Sequence, residues 1–216
     1  DKELGGVRLD AQIAEKGISS THVTGYVSPK LKGLDLLIRA DSTNLGFLQP
    51  FIEGIFSEIN GRVNGNVRLY GDFKHLDLEG EVRAKMDAKI DVLNTYFQIR
   101  DDSIHISSGS LDFRNVKVYD REGHDGLVNG YLHHTKLKNL MYHFNIRGNN
   151  LLMYNTYEAG NMPFYGKVYG TGNVVLDGGN NAMTVDASLT TGSNTSFTYI
   201  TGVTTEAASN QFITFV

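Results

Sequence analysis

The sequence predicts an all-β protein: a long, curved, mainly antiparallel sheet forming an apolar groove, taco-like in section, with one short amphipathic helix near residues 44–59. Three observations predict it. From Leu78 to Val92 every even position is apolar or glycine and every odd position is charged. A helix would scatter these sets around its circumference; a strand puts one on each face. One face must therefore be wet, as in an antiparallel sheet solvated on one side. At ~3.3 Å per residue the run would reach about 50 Å, against a diameter near 45 Å for a compact domain of this length. The sheet bends or the molecule is long.

Taken in order, Val7, Leu9 and Ala11 begin an N-terminal alternation, and a strand follows from Leu34 to Ala40. Between Gly46 and Ile59 the spacing changes to three and four: Phe47, Leu48, Phe51, Ile52, Ile55, Phe56 and Ile59. This predicts a helix from about Pro50 to Glu58, entered by a turn from Asn44, with the proline in the first helical turn where its missing N–H costs nothing. Its apolar face, worth roughly 1.5–3 kcal/mol per large side chain buried, requires a covering surface.

Alternation then resumes. Inward positions are Val63, Val67 and Leu69; then Leu78, Val82, Ala84, Met86, Ala88, Ile90 and Val92; then Leu111 and Phe113, Phe144 and Ile146. Val168, Val174 and Leu176, with Met183, Val185 and Leu189, complete the set. Turn chemistry is expected at Gly71-Asp72, Gly123, Asn129-Gly130, Gly148-Asn149-Asn150 and Asp177 to Asn181. Strand glycines such as Gly65, Gly80, Gly170 and Gly172 permit bulges, so the sheet should curl. The stretches Gly61–Gly71 and Gly166–Gly178 share one hairpin grammar and define an internal repeat of about 61–165 and 166–216 within a single segment spanning 1–216. The apolar ending Gln211 to Val216 reads as a strand with its partners further along a longer protein.

Composition removes several functions. Lys plus Arg number 20 against 24 acids, a net charge of -4, which argues against a nucleic-acid partner. There is no cysteine, so thiolate metal sites and Cys nucleophiles are out. No run approaches the ~18 apolar residues of a spanning helix. His133 and His134 face opposite ways in a strand, so no metal is expected there. Asp120-Arg121-Glu122-Gly123-His124-Asp125-Gly126 reads as an exposed hairpin turn, and Asp87 and Asp91 as charge partners on a wet face. No nucleophile elbow, phosphate loop or His-Glu-x-x-His pattern occurs. The expectation is a protein that is not an enzyme and has no cofactor.

The hairpin Gly61 to Gly80, GRVNGNVRLYGDFKHLDLEG, resembles the recurring glycine-rich unit of TamB/AsmA-like envelope proteins. Ile90 to Phe97, Leu111 to Asn115 and Asp120 to His124 are similar to the C-terminal region of the Bacteroides-type TamB-like proteins, and Tyr165 to Gly178 and Met183 to Leu189 continue the likeness. It covers about Leu34 to Phe197 and rests on the order of several motifs. Two turns depart from it: Leu76 stands where proline is common, and the turn between Gly178 and Met183 has none.

The resemblance implies a Gram-negative envelope protein, periplasmic and anchored to the inner membrane by a segment outside this chain. It implies a hydrophobic conduit or scaffold that moves phospholipid toward the outer membrane, or assists outer-membrane protein clients beside a TamA-type barrel. The inward set would then line the groove, and Leu48, Phe51, Ile52, Ile55, Phe56 and Ile59 would form the helix face. The stretch 78–92 carries no ring on its inner face, which leaves room for acyl chains; a packed sandwich core is the other reading. The alternative function is a cell-surface adhesive or glycan-binding β-domain, and a β-solenoid enzyme ranks below it. Open strand edges invite edge-to-edge self-association of this piece.

Overall fold

The computed structural model describes residues 5–15, 19–52, 56–135, 138–157, 163–179 and 182–201. Twelve strands follow the chain: β1 (Val7–Glu15), β2 (Ser19–Ser28), β3 (Gly33–Asn44), β4 (Phe56–Asp72), β5 (His75–Ile90), β6 (Thr95–Ser107), β7 (Ser110–Tyr119), β8 (Asp125–Thr135), β9 (Lys138–Thr156), β10 (Phe164–Gly179), β11 (Ala182–Thr191) and β12 (Ser196–Tyr199). They form one open antiparallel sheet in which β1 to β11 lie side by side in sequence order. β12 pairs with the start of β10. From β1 to β11 each strand pairs with the next, while β12 passes β11 to reach β10.

The sheet curls. β4 and β9 are five positions apart, which in a flat sheet means about 24 Å at ~4.8 Å per strand. Yet the rings of Phe56 on β4 and Phe144 on β9 stand 6.5 Å apart, edge to face. Phe113 of β7 meets the same Phe144 at 5.3 Å. The side chain of Asn94, in the turn between β5 and β6, donates to the Asn155 carbonyl of β9 at 2.5 Å. Each contact requires a strongly concave apolar face.

The predicted helix is present but shorter. A 3-10 turn, Leu45–Leu48, leads into α1 (Gln49–Ile52). Asn44 caps it by accepting from the Gly46 N–H at 2.7 Å. Phe56 and Ile59 already belong to β4, where Phe56 pairs with Ile90; Ile55 lies outside the described residues. The side chain of Gln49 ties the helix to the incoming strand: it accepts from the Ile59 N–H at 3.1 Å and donates to the Phe56 carbonyl at 3.3 Å. Leu45 and Ile52 are buried in the core and Leu48 packs against it, while Phe47 stays exposed.

Two expected turns are interior strand. Asn129-Gly130 sits in the middle of β8, opposite Asn145 and Phe144, and Gly148-Asn149-Asn150 is an irregularity inside β9. Gly130 adopts φ +152°, and a Cβ there would meet the His143 carbonyl oxygen at 2.0 Å. It pairs with Phe113 on one side and Phe144 on the other, and the backbone of His143 and Phe144 fills the place of a side chain. Gly130→Ala should therefore lower stability by about 2 kcal/mol, read as a shift of the urea midpoint by circular dichroism. A change under ~0.5 kcal/mol would contradict this close approach.

The hairpins β4–β5 and β10–β11, which carry the repeat grammar, turn at the same end of the sheet. The opposite end holds the helical insert, the 3-10 turn Asp91–Leu93 and the β7–β8 turn. Residues 211–216 lie outside the described residues.

Candidate functional site

Cross-strand register assigns the faces. Val63 pairs with Ala84, Val67 with Gly80 and Leu69 with Leu78. Val82 pairs with Ile104, Ile106 with Leu111, and Leu111 with Leu132. Leu132 pairs with Tyr142, Phe144 with Leu176 and Leu176 with Val185. The predicted inward residues on β4, β5, β7, β9 and β11, with Val174 and Leu176 on β10, thus share the concave side. Two differ. Val92 lies in the 3-10 turn Asp91–Leu93, which Asn94 ends in the left-handed conformation at φ 47°. Val168 pairs with Tyr154 beyond two register shifts and is only half-buried.

The middle of this face is full. Ala84 and Val116 have no exposed surface, and Val82, Ala88, Ile99 and Ile104 are buried with them against Leu45, Ile52 and Ile59. A second cluster joins Ile90, Phe97, Tyr142, Phe144, Ile146, Val174 and Leu176, and Phe56, Leu111, Phe113 and Val128 touch both. The small inner residues of β5 do leave room, but rings from β4, β6, β7 and β9 occupy it. From β3 to β10 the concave face is a core made of the chain's own side chains.

The flanks are not. Val7, Leu9, Ala11 and Ile13 of β1 continue the concave face through Val27, Gly25, Val23 and Thr21 of β2. Val7 and Ile13 are 66% and 63% exposed. Leu9, Val23, Val27, Leu34 and Ile38 belong to neither cluster and are half-buried, while Leu36 of β3 is buried beside them. On the other side Val185 is 43% exposed. Sequence periodicity marked β1 as a strand but held no sign that its inner face would lack an opposing layer.

At the helical end the β7–β8 turn holds the curl in place. Asp120 accepts from the Glu122, His124 and Leu152 N–H groups, each at 2.9 Å, and contacts His124 Nδ1 at 2.8 Å. Arg121 reaches the other way, to Asp87 of β5 at 2.9 Å and over the Tyr96 ring of β6 at 3.2 Å. Glu122 binds Lys167 and Tyr169 of β10 at 2.8 and 2.7 Å. Three consecutive side chains thus tie β5 and β6 to β9 and β10. The expectation of an exposed turn fails at Asp120, whose side chain is 0% exposed. Burial pushes its carboxyl pKa up, but the Leu152 N–H and the His124 contacts pull harder, and it ends below the usual value. The Lys167 ammonium beside Glu122 holds that carboxyl below its ordinary range as well.

The outer face is polar. Arg68 bridges Asp35 and Glu79 at 2.7 and 2.9 Å, and Arg83 pairs with Asp101; exposed pairs of this kind add little stability. Asp91 accepts from the Ser57 hydroxyl. His133 stacks on Tyr131, ring centroids 4.0 Å apart, and His143 binds Asp177 at 2.6 Å. Among the described residues no three His, Asp or Glu side chains converge to hold a metal ion, and no helix is long and apolar enough to cross a membrane. Comparison with family models, curated proteins and solved structures finds no match to this chain.

Proposed function

We propose that the protein is a non-enzymatic apolar trough of the cell envelope, holding phospholipid acyl chains along the bare flank of its concave face. The observation behind this reading is the continuity of that face. It runs across β1 to β11, but the protein's own side chains fill it from β3, where Leu36 is buried and Ala40 joins the first cluster, to β10. Apolar surface of Val7 and Ile13 on β1, and part of that of Leu9, Val23 and Val27, is left in water, and each methylene laid on it is worth about 0.8 kcal/mol. An acyl chain, which is long, apolar and without hydrogen-bonding groups, suits a strip walled by Val7, Leu9, Val23, Val27 and Ile13. The polar outer face keeps the molecule in water between two membranes.

The TamB/AsmA-like resemblance adds a setting: a periplasmic place, an inner-membrane anchor outside this chain and a TamA-type barrel or outer-membrane client at the far end. The filled middle restricts the reading, because a lipid threading the whole length of the curl would have to displace Phe56, Phe113 and Phe144. The cargo surface is therefore the flank.

Purification from a Gram-negative periplasm followed by organic extraction and lipid mass spectrometry tests it. Phospholipid is expected at a fixed ratio to protein, lost in the Val7→Asp/Ile13→Asp double variant and kept in Leu37→Asp on the outer face. Protein free of lipid that instead binds glycans on an array would overturn the trough in favour of an adhesive domain.

A further inference from the structure

At one end of the sheet the β2–β3 and β4–β5 turns both set an apolar residue beside lysine: Lys30-Leu31-Lys32 in the first, Phe73-Lys74 in the second. Short bonds shape both tips. The Ser28 hydroxyl accepts from the Leu31 N–H at 3.1 Å and the Pro29 carbonyl from the Lys32 N–H at 3.3 Å. Asp72 accepts from the Lys74 N–H at 2.8 Å and binds His75 Nδ1 at 2.9 Å. The Lys32 carbonyl accepts from the Phe73 N–H at 2.7 Å, which joins the two turns into one projection. Leu31, Phe73 and the three lysines are all exposed. Asp72 is the one acid among residues 29–32 and 72–75, and it is engaged with His75, so the lysines carry local positive charge. The opposite end also exposes Phe47, but residues 45–52 around it hold no cation.

We infer that this projection docks the protein on the headgroup surface of an anionic phospholipid bilayer. Leu31 and Phe73 dip among the headgroups, and Lys30, Lys32 and Lys74 meet the phosphates. A chain of net charge -4 is repelled by such a surface as a whole. Within a Debye length, however, each nearby lysine favours contact, so charge selects this end. Lysine suits the place, because its stem lies along apolar surface while its ammonium stays in water. Size argues against a protein partner, whose standard interface takes about 20–30 residues a side; the boundary between headgroups and acyl chains accepts single apolar side chains. Val7 pairs with Val27 at this same end of β2, so the bare concave strip opens beside the docked tips.

The docking does not rest on the trough reading, and vesicle flotation tests it alone. The protein should float with vesicles of phosphatidylethanolamine and phosphatidylglycerol, not with phosphatidylcholine, and added salt should release it. Lys32→Gln/Lys74→Gln should weaken binding about thirtyfold, and Leu31→Ser/Phe73→Ser about tenfold at unchanged charge. Lys85→Gln/Lys89→Gln, which removes as much charge from the outer face, should stay within about threefold of the parent. Ile13→Asp, at the far end of the strip, should bind as the parent does, so docking and trough fail separately. Because the chain has no tryptophan, Phe73→Trp gives a direct readout: its emission should shift to the blue on anionic vesicles and be quenched by brominated acyl chains. No binding to anionic vesicles, equal binding to both compositions, an outer-face pair that loses as much as the tip pair, or an unshifted Phe73→Trp emission would overturn the proposal.

Discussion

Val82→Asp is expected to remove about 3–5 kcal/mol of stability, while Ile13→Asp leaves it nearly unchanged. Both positions carry an apolar residue on the same face of the same sheet, so periodicity treats them alike. Their surroundings differ. Val82 is 9% exposed and clusters with Ala84, Ile104 and Val116. A carboxylate there has no cation or donor to meet, and an unpaired buried charge costs about 3–5 kcal/mol, a large part of a typical total of ~5–15 kcal/mol. Ile13 is 63% exposed, and surface changes of this kind fall within about ±0.5 kcal/mol. Urea titrations by circular dichroism separate the two. Equal tolerance of both variants would mean the middle of the curl is an open trough after all; equal unfolding would mean β1 is covered.

The second large effect is expected at Asp120. Asp120→Ala leaves the N–H groups of Glu122, His124 and Leu152 without their acceptor, the last of them buried, and should cost about 2 kcal/mol. Asp120→Asn keeps the shape but gives up the charge, so it should cost less and alter the response to acid. Because the folded carboxyl titrates below its ordinary value, the stabilisation it provides is fully present above the unfolded pKa near ~3.9. It is lost as pH falls through the lower folded value. The parent protein should therefore lose stability on going below about pH 4, and Asp120→Asn should show a shallower loss over the same range. An identical acid slope in both proteins would remove Asp120 from the account.

What the sequence disclosed depended on how local each feature was. β5 was legible because every outer residue from Glu79 to Lys89 is charged, and one strand's own pattern is enough to assign its faces. β4, β10 and β11 followed from the same signal. β8 was hidden because Asn129-Gly130 carries turn chemistry; what keeps it extended is its pairing with β7 and β9, with the His143–Phe144 backbone pressed against Gly130, and that is not local. The helix spacing ran on into Phe56 and Ile59, which β4 takes instead, since a residue that suits a helix face also suits the concave side of a strand.

The concave face itself was readable residue by residue, but its occupancy was not. The absence of rings on β5 implied space, and the degree of curl, which brings Phe144 across from β9, is a property of the whole sheet. Asp120 was misread for a related reason: its buried partner, the Leu152 N–H, lies on another strand and is a backbone group that no side-chain motif announces.

The division of one apolar face into a filled core and a bare flank can be measured directly, because the protein has no cysteine of its own. Single cysteines at Ile13 and Val7 on the flank, at Leu37 on the outer face and at Val116 in the core would be challenged with a water-soluble maleimide, with and without phospholipid vesicles. Position 116 should stay unreactive throughout and position 37 reactive throughout, while 7 and 13 react readily in buffer and become protected when phospholipid is present. Flank cysteines that react equally fast with and without phospholipid, or a core cysteine that reacts as readily as they do, would contradict the account.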